Sequence, residues 1–170
     1  MKPDTVLISI TCADDSVAVM AFVTTDYTSK GIPRWSRPAA DAEVEKEIAR
    51  AATTFDSSKL PIKGWRFIAR EEIPADRTFR DALVDDGVKL KHDMPRAREI
   101  HRAHLREARA LALAGLDVEY QRADETGDKD KKAQVVALKQ QLRDITQHPG
   151  IEAAQTTDEL KAVWHEALKG

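Results

Sequence analysis

The sequence predicts an α+β fold, with a small N-terminal antiparallel sheet and a short helix followed by a C-terminal helical hairpin plus a terminal helix. Three observations predict it. Two β-branched runs, Val6 to Ile10 and Val17 to Val23, flank the turn cluster Ala13-Asp14-Asp15-Ser16 as in a hairpin. From Asp93 onward, apolar residues recur at steps of three and four over long stretches. Helix punctuation follows: Asp93 with Pro95, then Gly127 with Asp128, then Pro149-Gly150 before Thr156.

Beyond the hairpin, Asp26 to Pro38 contains Gly31, Pro33 and Pro38 and reads as an irregular loop, with Trp35 as a candidate anchor. Val44, Ile48 and Ala51/Ala52 recur at helical spacing over Asp41 to Ala52, and Asp41 suits the N-cap. After the polar break Thr53 to Lys59, the stretch Leu60 to Ala69 suggests a third strand around Ile62, Trp65, Phe67 and Ile68, closed by Pro74. Asp76 caps a short helix bearing Phe79, Ala82 and Leu83, which Asp85-Asp86-Gly87 ends; Val88 to His92 reads as an extended connector. The division falls near residue 75, giving 1–75 as an α+β domain and 76–170 as a helical module.

Within that module the long helix is expected over about 94–124, because proline is tolerated in a first turn. Its stripe runs through Ala97, Ile100, His104, Ala108, Leu111, Gly115 and Val118, widened by Leu105, Ala112 and Leu116. The small residues Ala108, Ala112 and Gly115 would admit a close neighbouring helix. The second helix, about 128–147, carries Val135, Leu138, Leu142 and Ile145 at a/d spacing, and the short loop between the two makes them an antiparallel pair. Pro149-Gly150 is expected to end it. Thr156 and Glu159 have capping-box spacing for a last helix at about 157–168, with Leu160, Val163, Trp164, Ala167 and Leu168 on one face.

Composition narrows the function. The 42% apolar share suffices for a core, while 33% charged residues give a heavily ionised surface. A net charge of −2 argues against the globally basic character of nucleic-acid binders, so nucleic acid is disfavoured as a partner. The lone Cys12 lies in an apolar run and should be buried as a small hydrophobe. MKPDTVLISI has no secretory signal pattern, so export is not expected, and no apolar run approaches the ~18 residues of a membrane span.

No phosphate loop, GxSxG elbow or HExxH helix is present, so no catalytic residues, cofactor or metal ligands are assigned and an enzyme is not expected. His101 and His104 have a spacing that places two imidazoles on one side of a metal, but no third ligand is identifiable, which favours one solvated and one seam histidine. Arg98, Arg102, Arg106 and Arg109, at steps of four, four and three, form a basic stripe with Lys89, Lys91 and Arg96 nearby. It fits phosphate or an acidic protein face, but the interleaved Glu99 and Glu107 favour a solvated helix surface. Trp65 is expected in the core, and Trp164 packs on the hairpin or on a partner.

The run REARALALAGLDVEYQRADETGD, followed by KQQLRDIT and, after a spacer, ELKAVW, resembles the C-terminal region of tailed-bacteriophage tail assembly chaperone and tail-fibre assembly proteins. The matching positions are Arg106, Arg109, Leu113, Leu116, Asp117, Gln141, Leu142, Arg143, Asp144 and Trp164. WRFIAREEIPADRTFRDALVDDGVKLKHDMPRAREIHRAHLR also looks like small proteins from phage tail-gene neighbourhoods, and the resemblance covers roughly residues 60 to 168. That family often closes with Trp-Pro, whereas His165 follows Trp164 here. The resemblance implies a tail-associated structural or assembly protein, in the virion or in the host-cell cytoplasm during assembly. Its partners would be other phage tail or virion proteins, or copies of itself in a symmetric assembly. Arg98, Arg102, Arg106, Arg109, Leu142, Arg143, Asp144 and Trp164 are the candidate partner-binding residues. The alternative is a small DNA-binding or packaging accessory protein using the basic face of the long helix.

Overall fold

β1 (Thr5–Thr11) is the centre of a three-stranded antiparallel sheet of order β2-β1-β3, flanked by β2 (Val17–Val23) and β3 (Gly64–Ile68). The structure, a computed structural model, describes residues 5–23, 45–46, 48–55 and 59–168. The expected loop with Trp35 and the Asp41 cap lie outside them. Residues 48–52 are helical, as the spacing predicts.

Period-two alternation sorts β1 between two cores. Ile8 stands opposite Met20 and Phe67, and Ile10 opposite Ala18 and Trp65. This face buries Ile8 and Ile10 completely against Ile48, with Phe55, Ile62 and Trp65 around them. The other face packs Leu7 and Ile68 against Leu90, Val17 and Ile73. Cys12 is buried as expected, at the start of a turn in which Asp14 Oδ1 accepts from the Ser16 amide at 3.0 Å and Asp15 adopts φ 62°. Short polar residues tolerate that left-handed conformation.

Two features of this region differ from the expectation. Asp76 does not cap a helix: its Oδ1 accepts from the Thr78 amide and hydroxyl in a local turn, and only a 3₁₀ turn, Arg80–Ala82, follows. The supposed connector is a strand: β4 (Leu83–Asp85) and β5 (Leu90–His92) form a second, two-stranded sheet. Their turn is closed by Asp86 Oδ1, which accepts from the amides of Val88 and Lys89, with Gly87 at φ 87°. Three-residue strands carry too little periodicity to stand out in sequence.

The chain divides into two compact units, Met1–Lys91 and His92–Gly170, which groups residues 76–91 with the sheet. In the second unit α1 (Met94–Glu125) starts at Asp93, whose side chain accepts from the Arg96 amide. Gly127, at φ 72°, turns the chain, and Asp128 accepts from the Lys131 amide to open α2 (Lys129–Asp144). Ion pairs Lys132–Asp124 and Lys139–Asp117 set earlier residues of α2 against later residues of α1, which makes the helices antiparallel, and Lys131–Glu119 adds a third link. The ammonium groups of Lys132 and Lys139 also sit 5.0 and 5.5 Å from the Tyr120 ring centre.

The buried positions of α1 are Ala97, His101, Leu105, Leu116 and Ala123. Leu111 and Val118, placed in the seam by sequence, are 81% and 46% exposed, and Gly115 is exposed too. The run LALAGLDV is apolar nearly all round the helix, so its periodicity does not choose a face; the α2 seam of Val135 and Leu142 chooses it. Asp144 ends α2, and Ile145–Gln147 continues as a 3₁₀ turn. Pro149 opens rather than terminates a helix: it is the first residue of α3 (Pro149–Ala153), whose N-cap His148 accepts the Gly150 amide on Nδ1 at 3.1 Å. The expected final helix is two pieces, α4 (Thr157–Ala162) and the 3₁₀ turn Glu166–Leu168. Thr156 does cap α4, accepting from the Glu159 amide. Among the described residues, no helix is long and apolar enough to cross a membrane.

Candidate functional site

The basic row of α1 folds inward more than outward. Arg98 Nε donates to the Ile151 carbonyl at 3.1 Å and its Nη2 to the Ala154 carbonyl at 2.9 Å, tying α3 to the long helix. One turn on, Arg102 bridges Glu99 of its own helix and Glu152 of α3. Burial alone would lower its pKa, but these two carboxylates outweigh it and hold the guanidinium more firmly charged. Arg109 Nη1 donates to the Arg143 carbonyl at 2.8 Å, fastening the end of α2. Arg106 is exposed. The four arginines are therefore not one outward stripe, since three of them clamp α2 and α3 to α1.

Leu142 is completely buried, and the Arg143 side chain is exposed while its carbonyl takes Arg109. Asp144 accepts the Gln140 side-chain amide at 3.0 and 2.9 Å. Trp164 is half-buried, its ring centre 6.0 Å from that of His101. His101, expected to be the solvated one of the pair, is buried, with Nε2 3.0 Å from the Val163 carbonyl oxygen, and the expected seam residue His104 is half-buried. Among the described residues, no three His, Cys, Asp or Glu side chains form a group that could hold a metal ion.

In the first unit, Arg66 draws β3, β4 and the turn after β3 together. Its Nε lies 2.8 Å from both Asp85 carboxylate oxygens, and its Nη2 lies 2.7 Å from Glu72. The buried Ser9 hydroxyl also donates to Asp85. Burial would raise the Asp85 pKa, but the bonds from Ser9, Arg66 and the Gly87 amide overcome it and hold the carboxyl below its ordinary value. Glu72 is held low chiefly by Arg66 and the Ala69 amide. The Ser9 hydroxyl is committed to the Asp85 carboxylate, whose lowered pKa makes it a weak base, so the arrangement is a brace between strands.

On the Leu7 face of the sheet lies a hollow of about 540 Å³. Leu7, Val19, Ala21, Ile73 and Leu83 give it apolar walls, and Leu7 pairs directly with Ala21 across the β1/β2 ladder. Arg70, Arg77 and Arg80 also line it, all three exposed, together with Asp76. Arg80 stands 3.6 Å from Asp81, whereas Arg70 and Arg77 make no ion pair among the described residues. The hollow borders β2, which among the described residues pairs with β1 alone. Sequence analysis missed these three arginines, because their convergence around Pro74 is produced by the tertiary fold and no local period announces it.

An apolar hollow lined by the exposed guanidinium groups of Arg70, Arg77 and Arg80 beside Asp76 can hold carboxylates or phosphates next to an apolar group. The chain matches no family model, no curated protein and no solved structure, so these residues must carry the functional argument.

Proposed function

We propose that this is a non-catalytic protein-binding component of a tailed bacteriophage, either a minor constituent of the particle or a tail or tail-fibre assembly chaperone. It acts in the virion or in the host-cell cytoplasm during assembly, through contacts with other phage proteins. The arginine-lined hollow beside β2 carries the binding part of this reading. An extended acidic segment of a partner can add a strand to β2, lower an apolar side chain onto Leu7 and Val19, and place carboxylates against Arg70 and Arg77. Supporting the phage part is the resemblance of residues 106–144 and Trp164 to tail assembly proteins. The helical unit then serves as a rigid body, with Arg98, Arg102 and Arg109 bracing it from within. That internal use also weakens the DNA-binding alternative, since those guanidinium groups are already engaged.

Tagged full-length chain exposed to lysate of infected cells, together with mass spectrometry of purified virions, tests both parts. The expected result is retention of a phage tail protein that is lost with the double reversal Arg70→Glu/Arg77→Glu while circular dichroism stays unchanged. Retention should also weaken as salt rises, as electrostatic steering requires. Absence of phage proteins from both experiments rejects the phage reading. Capture indifferent to the reversal rejects the hollow as its site.

A further inference from the structure

α1 presents a second apolar strip on the face turned away from α2. Leu111 is 81% exposed and Val118 46% exposed, and between them Ala114 and Gly115 are exposed as well. At 3.6 residues per turn these four share one side of the helix, opposite the buried Leu105, Leu116 and Ala123. A Cβ built on Gly115 meets nothing within 4 Å outside its own stretch of helix, so among the described residues no other group closes over that point. Exposed Glu107 and Arg122 stand at the two ends of the strip.

We infer that this strip is a self-association surface, on which a second copy of the chain packs its own α1 in antiparallel sense. The order of residues makes the strip complementary to itself. With a twofold axis between Ala114 and Gly115, each Leu111 faces the other copy's Val118, and each Ala114 faces the other copy's Gly115. The same register sets each Glu107 against the other copy's Arg122, twice. A parallel pairing would instead oppose Glu107 to Glu107 and Arg122 to Arg122, so charge selects the antiparallel arrangement. Small residues at the crossing permit helix axes near the short end of the roughly 8–10 Å range. Such a contact is isologous and closes at two copies.

The strip from Glu107 to Arg122 runs ~24 Å along the helix at about 1.5 Å per residue. That is less contact than the roughly 800 Å² per partner of a standard stable interface, so the dimer forms and dissociates with concentration. It does not use the hollow of the first unit, and it can hold whether or not the function proposed above is correct.

Sedimentation equilibrium of the full chain over roughly 10 to 500 μM is the test, a range suited to weak association. The expected mass rises from 19.0 kDa toward twice that value. Glu107→Arg alone and Arg122→Glu alone each place like charges together and should weaken association at least about tenfold at low salt. The double variant restores opposite charges across the twofold and should restore dimerisation, which no folding defect would mimic. Gly115→Leu blocks the close crossing while favouring the helix, so association should vanish with helicity kept or increased. A monomer at every concentration overturns the inference, as does a dimer indifferent to Gly115→Leu or a double reversal that fails to restore what the single ones lose.

Discussion

His101 Nε2 lies 3.0 Å from the Val163 carbonyl oxygen, joining the third turn of α1 to the segment that follows α4. A carbonyl can only accept, so Nε2 carries the proton and donates. Burial is the main influence lowering the pKa of this ring; the Val163 bond opposes it, and the charges of His104 and Arg102 add to it.

The sign of the resulting pH dependence follows. With the folded pKa below the ordinary 6.5, the unfolded chain binds the proton first as pH falls. The contribution of neutral His101 is intact above that value and declines from there down through the depressed folded value. Urea unfolding of the wild type should therefore show stability decreasing over this interval. His101→Gln should flatten that slope relative to wild type, while lowering stability at pH 7.5 through loss of packing beside Trp164. An unchanged slope in the variant would assign the pH dependence to other groups.

Arg98 offers a second measurable prediction. Its guanidinium bonds the carbonyls of Ile151, in the middle of α3, and Ala154, the residue after that helix, and both residues are buried. Arg98→Ala leaves these acceptors without their charged donor, at an expected cost of about 2–4 kcal/mol given ~1.5–3 for a charge-assisted bond. Arg98→Lys should recover part of the loss, because one ammonium cannot reproduce the two-point geometry. Arg106→Ala, at an exposed position, should stay within roughly 0.5 kcal/mol in the same denaturation experiment.

The Arg66 brace predicts the behaviour of the first unit in acid. Asp85 and Glu72 are both held below their ordinary carboxylate values, and Asp86 is held at about 2 mainly by the Lys89 and Val88 amides. For depressed carboxyls the stabilising contribution is present above the unfolded pKa and is lost as pH falls through the folded one. The sheet unit should consequently lose stability as pH drops below ~4. Asp85→Asn removes the charge facing Arg66 and should cost roughly 2–4 kcal/mol at neutral pH. It should also shrink the acid-dependent loss, measured by tryptophan fluorescence of Trp65 during acid titration.

These residues also explain what was legible from sequence. Strong local signals survived folding: the β1/β2 hairpin from two β-branched runs, the caps Asp93, Asp128 and Thr156, and the Gly127 turn. Where apolar residues surrounded the helix, as at Leu111 to Val118, only the partner helix could decide which side became interior. Arg98 and Arg102 looked like a solvent stripe because their acceptors lie on α3, about fifty residues further along the chain. The β4/β5 hairpin is local, but its three-residue strands are too short to show a period, whereas the Arg70/Arg77 hollow needs Leu7, Val19 and Ala21 from β1 and β2, far earlier in the chain.

The Leu142-Arg143-Asp144 phrase can be divided experimentally between fold and recognition. Leu142 is completely buried in the α1/α2 core, so Leu142→Ala should cost about 2–5 kcal/mol by loss of transfer energy and creation of a cavity. The side chains of Arg143 and Asp144 are exposed, and the bond to Arg109 uses the Arg143 main-chain carbonyl, which substitution preserves. Arg143→Ala and Asp144→Ala should each remain within roughly 0.5 kcal/mol of wild type in urea unfolding. If both variants fold normally yet lose a captured phage partner, those two side chains act in recognition. If capture survives, the phrase serves the fold through Leu142 and the backbone clamp, and partner contact lies elsewhere on the surface.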